Sequence, residues 1–120
     1  MSLAALVLVL AACLAIIVLG ARLVLTPQRA TLDYGVAADD LRALTEIKGV
    51  RDIVSGVVLL TVWAAAGQTA LGWAVLAAAL TPLSDAVIVR SHGGKLATAL
   101  GIHGVTAVAL IAAGLVLVLA

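Results

Sequence analysis

The chain has 120 residues, of which 65% are hydrophobic and 11% charged, and its formal net charge is +1. A soluble domain carries about a quarter charged residues, so seven Lys/Arg and six Asp/Glu cannot coat a water-exposed surface. These figures exclude a water-soluble enzyme, a nucleic-acid binder and a disordered chain, and they point to an integral membrane protein whose first partner is the lipid bilayer.

Residues 1–21 carry no charge, Arg22 ends the run, and Pro27 blocks its continuation. About 20 apolar residues cross roughly 30 Å of hydrocarbon, so a first membrane helix is expected over about 2–25. Leu10-Ala11-Ala12-Cys13 resembles a lipoprotein cleavage box. No basic region precedes it, however, and the segment stays apolar beyond the cysteine, which reads instead as a small buried hydrophobe.

Ten of the thirteen charged side chains lie between Arg22 and Asp52. Within that stretch Asp39-Asp40 precede Leu41, Leu44, Ile47 and Val50, acidic residues ahead of a helically spaced apolar series. That pattern marks a helix N-terminus, so the second helix is expected over about 41–66. Its charge-free part, Ile53 to Ala66, is fourteen residues, about 21 Å at 1.5 Å per residue. This is too short to span the core alone, so the preceding turn, with Lys48, Arg51 and Asp52, is expected at the hydrocarbon boundary.

Gly67-Gln68-Thr69 reads as an uncharged turn, followed by a third helix over about 70–90. Arg90 to Lys95 forms the next turn, and a fourth helix runs over about 96–119. The fold class is therefore all-α, an integral membrane four-helix bundle forming a single membrane domain over 1–120. All seven basic residues fall in the connection after the first helix, the entry to the second, and the turn after the third. The positive-inside rule places both connections in the cytoplasm and both termini outside, a multi-pass cell-membrane protein oriented N-out/C-out.

Ionisable groups inside a membrane cost about 2.5 to 3.5 kcal/mol at a helix centre, and they are functional candidates for that reason. Asp85 lies one to two turns inside the boundary set by Arg90, on a face shared with Ala70, Ala74, Ala77, Ala78 and Thr81. Trp73, Leu76, Leu80, Leu83 and Val87 form the opposite face. Small faces meet other helices and large ones meet lipid, so Asp85 is expected to point into the bundle. Pro82 is expected to kink the helix beside it. His103, on the fourth helix with Ala99, Thr106, Ala107 and Gly114, is the one kind of side chain whose ordinary proton affinity allows exchange near neutral pH.

Lys48, Arg51, Asp52 and Ser55 share one arc of the second helix, and Lys48 and Asp52 are spaced to pair along it. These depths bring Asp52, Asp85, Arg51 and His103 to one level. Asp52, Asp85 and His103 are the catalytic candidates, and Lys48, Arg51, Ser55, Thr81, His92 and Thr106 the substrate-binding ones. Each has a structural alternative: paired charges, a snorkelling Lys48, a hydrogen-bonded core histidine. His92-Gly93-Gly94-Lys95 is either a plain turn or an anion cradle of backbone N–H groups. No metal-ligand spacing, phosphate loop or dinucleotide fingerprint is present, so no cofactor is expected.

Four stretches carry a resemblance: GARLVLTP (20–27), IKGVRDIVSG (47–56), AALTPLSD (78–85) and HGGKLATALGIHG (92–104). With them the chain resembles the small membrane proteins grouped as domain of unknown function 4267, found mainly in actinobacteria and some fungi. The resemblance implies a four-helix membrane fold and no particular activity. The chain differs from small multidrug transporters, which use an acidic residue in the first helix, and from small fluoride channels, which rely on phenylalanine.

Acid, base and cation at one depth in an apolar bundle suit a membrane-embedded enzyme. An isomerase, cyclase or epoxide-opening catalyst for a lipophilic small molecule needs only acid–base groups and an apolar cavity. Asp85 or Asp52 would donate a proton, His103 would relay or accept one, and Arg51 would steady an anion. The alternatives are a proton-coupled small-molecule transporter and a non-catalytic accessory subunit. The Ala/Gly helix faces would also serve a homo-oligomer.

Overall fold

The computed structural model describes residues 3–37 and 39–120. The described chain is all helical, without strands. It divides into two compact units, Met1–Val50 and Arg51–Ala120.

In the first unit, α1 (Leu3–Leu25) ends where Pro27 removes the next backbone donor. Thr26, the residue before the proline, is pushed out of helical geometry at φ −135°, ψ 65°. A short α2 (Pro27–Tyr34) follows at once, with the proline in its first turn, where a missing N–H costs nothing. The sequence offered no helix here. It forms because Arg22 on α1 reaches Asp33 on α2 in a 2.7 Å ion pair and because Ala30 and Thr31 are buried. The N–H groups of Gly35 and Val36 return to the Leu32 and Thr31 carbonyls and close α2 as a Schellman cap. The environment of Cys13 lies outside the described side chains.

Helix α3 (Leu41–Ala78) starts directly after Asp40, whose carboxylate accepts the Ala43 N–H at 3.0 Å. This is an N-cap bond, worth about 1 kcal/mol. One turn on, Arg42 and Glu46 form an exposed i,i+4 pair at 2.9 Å. The helix is broken at Gly67, where φ 81° and ψ −170° suit glycine alone. Without that break, α3 and the next helix would form a continuous rod far longer than any bilayer is thick.

The second unit holds the rest of α3, then α4 (Leu80–Ser91), α5 (Leu96–Thr98), a π-helical turn (Ala99–Gly104) and α6 (Val105–Leu119). The interruption between α3 and α4 falls at Ala79, three residues before Pro82. That proline cannot bond to Ala78 and its ring crowds the Ala78 carbonyl. Helix α4 closes with a second Schellman cap: the Gly93 N–H donates to Arg90 O at 3.3 Å and the Gly94 N–H to Val89 O at 2.8 Å. Both N–H groups are therefore consumed within the turn, and the anion-cradle alternative for His92–Lys95 has no donors left from these two glycines.

The core of this unit is made of small residues. Val75, Ala79, Ala99 and Ala107 are buried, with Gly72, Pro82 and Gly114. No large side chain is fully buried among the described residues. The closest approach is Gly72 of α3 against Gly114 of α6. A Cβ on Gly72 would stand 3.0 Å from the Gly114 carbonyl oxygen, and one on Gly114 would stand 3.1 Å from that of Gly72. Two backbones this close leave no room for any side chain at the crossing, which is the packing mode of helices in lipid.

This contact corrects the face expected for residues 70–90. The buried stripe is Gly72, Val75, Ala79 and Pro82, roughly 150° round the helix from the Ala70/Ala74/Ala77/Thr81 face. Thr81 and Ala77 are exposed, and Asp85 sits at the flank of the stripe instead of its centre. Leu76, expected toward lipid, packs on Gly114.

Outside the small core the surface is apolar. Trp63, Trp73, Val87 and Leu119 are 55%, 62%, 68% and 81% exposed. Such a surface is unfavourable in water and suits hydrocarbon. Among the described residues two stretches, Leu41–Ser91 and Leu96–Leu119, are long and apolar enough to cross a membrane.

Candidate functional site

His103 is carried by the π-helical turn of Ala99–Gly104. Eight residues separate Ala99 from Ala107, one more than the seven that return an α-helix to nearly the same face. The wider turn absorbs the extra residue, so Ala99, Ala107 and Gly114 form one buried stripe. The same turn sets His103 at the edge of that stripe, where it is partly buried. Single π turns of this kind occur often at functional positions.

Asp85 approaches from α4, one turn beyond Pro82. Its Oδ2 lies 3.9 Å from His103 Nδ1, and the two side chains are 36% and 27% exposed. At that separation there is no direct hydrogen bond. The carboxylate and imidazole instead stand close enough to act on one bound molecule. His103 lies in the widened turn, and Asp85 lies in regular α-helix one turn beyond Pro82.

Arg51 and Asp52 are exposed in the second unit, and Lys48 is exposed in the first. Lys48 and Asp52 each have an interaction partner. Ser55 donates to the Arg51 carbonyl at 2.8 Å, and Thr106 to the Ile102 carbonyl at 2.6 Å, so both hydroxyls bond back within their own helices. Thr81 is exposed. His92 Nδ1 lies 2.9 Å from the Ile88 carbonyl oxygen. A carbonyl only accepts, so Nδ1 carries the proton and donates, and His92 serves as a side-chain cap on α4. Of the nine sequence candidates, the structure brings Asp85 and His103 together.

Two grooves open on the same unit. The larger, about 640 Å³, is lined by Ala86, Val87, Arg90, Ser91, Leu96, Ala99 and Leu100. The second, about 460 Å³, is lined by Leu100, Gly104, Val105, Val108 and Ala109. They share Leu100 and flank the segment that carries His103. The sequence reading missed both the grooves and the π turn. Gly101 and Gly104 around His103 were the available signal, since glycine lowers the local preference for regular helix.

A family model described as Domain of unknown function (DUF4267) matches residues 13–117. No curated protein and no solved structure matches the chain.

Proposed function

The chain belongs to the DUF4267 family, and from that footing we propose that it is a multi-pass membrane protein whose Asp85–His103 pair performs general acid–base chemistry on a lipophilic small molecule. In this reading both basic connections face the cytoplasm and both termini lie outside. The reaction class is isomerisation, cyclisation or epoxide opening. Each needs one group to deliver a proton and another to accept one, within a largely apolar site. Asp85 delivers the proton, and His103 accepts the one released from the substrate.

The observation that carries the reading is the 3.9 Å approach of an acid on α4 and a base on the π-helical turn, between long apolar runs.

Membranes containing the full chain, incubated in D₂O, provide the test. Protonation at carbon, as in isomerisation or alkene cyclisation, places solvent deuterium in the product, whereas epoxide opening protonates oxygen and is read by ¹⁸O uptake with H₂¹⁸O in place of D₂O. The expected result is a labelled lipophile in the organic extract with the wild-type chain and none with Asp85→Asn. A label equally strong with Asp85→Asn, or a proton flux in proteoliposomes with no labelled product, overturns the enzyme reading. The second outcome favours proton-coupled transport.

A further inference from the structure

We infer that the two grooves on α4 to α6 form a binding track for one anionic glycerophospholipid, with its phosphate on Arg90 and an acyl chain along Leu100 toward Val108. This rests on the membrane reading above and is independent of the acid–base chemistry.

The order of the lining residues carries the argument. At one end the larger groove is lined by Arg90 and Ser91 at the terminus of α4, and the Ser91 hydroxyl donates back to the Ile88 carbonyl at 3.0 Å, so Arg90 is the group left for an anion. Away from that terminus its walls are apolar, with Ala86 and Val87 of α4 on one side and Leu96 of α5 and Ala99 and Leu100 of the π turn on the other. Beyond Leu100 the second groove continues along α6 with Val105 and Val108, and it has no polar side chain. The polarity therefore falls in the direction that leads from the boundary turn into hydrocarbon, matching a lipid from headgroup to tail. From Leu96 to Ala109 the track is about 20 Å long at the helical rise, enough for a chain that fills one leaflet of about 15 Å.

Arg90 suits a phosphodiester. Its one hydrogen bond in the described structure, to the Gly94 carbonyl, is long at 3.4 Å, and a guanidinium offers five donors in a planar fork. Gly94 N–H and Gly93 N–H are already committed to the helix cap, so the side chain, and not the turn backbone, supplies the recognition. Arg90 is the only charged group lining either groove. The turn lies on the side assigned to the cytoplasm, where anionic lipids concentrate.

The experiment reconstitutes the full chain in vesicles of equal phosphatidylcholine and phosphatidylglycerol, extracts it, and counts retained lipids by native mass spectrometry. The wild-type chain is expected to retain phosphatidylglycerol over phosphatidylcholine by about five-fold, the effect of one basic residue at a membrane surface. Arg90→Lys keeps most of that preference, and Arg90→Gln brings it to parity. Leu100→Trp, which fills the junction of the grooves, lowers retention of both lipids and tests the track without touching the charge. Equal retention of the two lipids by a wild-type chain that floats with the vesicles overturns the lipid site alone. So does an undiminished preference in Arg90→Gln. A chain that does not float with the vesicles overturns the membrane reading itself.

Discussion

Gly72→Leu is expected to lower the stability of the Arg51–Ala120 unit by about 3 kcal/mol, the upper end of the range for overpacking. The cost is high because the obstacles cannot move aside. A Cβ at this position meets Val118 Cγ2 at 2.8 Å, which a rotamer change could relieve, but also the Gly114 carbonyl oxygen and Leu117 Cβ, both at 3.0 Å. Those two belong to or sit next to the backbone of α6, so the helices themselves must separate. Gly114→Leu meets Leu76 and the Gly72 carbonyl from the other side and should cost a similar amount. The two changes open one contact, so the double variant should lose less than the sum. Gly56, in the same helix as Gly72, has nothing within 4 Å of an added Cβ. Gly56→Ala should therefore stabilise by up to about 1 kcal/mol through helix propensity. Thermal melts of the purified chain in detergent, followed by circular dichroism, check all four variants. Equal melting of Gly72→Leu and Gly56→Ala would mean that the crossing is absent.

The second large effect is on turnover of the lipophile found by deuterium labelling. Asp85→Asn keeps the shape of the side chain and removes its capacity to exchange a proton. A positioned acid or base contributes about 10²- to 10⁴-fold, so a loss of at least about 100-fold is expected, with the melting curve little changed because Asp85 lies at the flank of the core. Asp52→Asn is the matched comparison. Asp52 is exposed on α3, so its amide variant should stay within a few-fold of wild type. A loss at Asp52 as deep as that at Asp85 would place the chemistry on α3 instead.

The sequence carried the class of the fold and much of its punctuation. The apolar surface follows from composition, because 13 charges in 120 residues cannot coat it, and two stretches of the described residues are long and apolar enough to cross a membrane. The start of α3 was legible in Asp39-Asp40, since the cap bond from Asp40 is a local interaction that depends on a few consecutive residues. The break at Gly67 was legible for the same reason, and so was the turn at His92–Lys95. Helix α2 was not, because it depends on Asp33 meeting Arg22 eleven residues away. The packed face of residues 70–90 was misjudged because alanine occurs on every side of that segment. With small residues all round, composition gives no preferred side, and the choice falls to the backbone approach of Gly72 and Gly114, which is a property of two helices together.

The candidate site was legible in part, for similar physical reasons. Asp85 and His103 stand out because ionisable groups are rare between long apolar runs. Their approach depends on a π turn that reregisters the helix around His103, and periodicity at 100° per residue cannot anticipate one. Arg51 and Asp52 were drawn in by helix length alone. Length fixes how deep a residue sits but not which way it faces, and both are exposed.

The most direct test of the account is a double-mutant cycle on the labelling reaction, with Asp85→Asn, His103→Gln and the two combined. If the pair works as a unit, either single change removes the whole acid–base contribution, and the combined variant is no slower than the slower of the two. Losses that multiply in the combined variant, or a His103→Gln chain as fast as wild type, would contradict it.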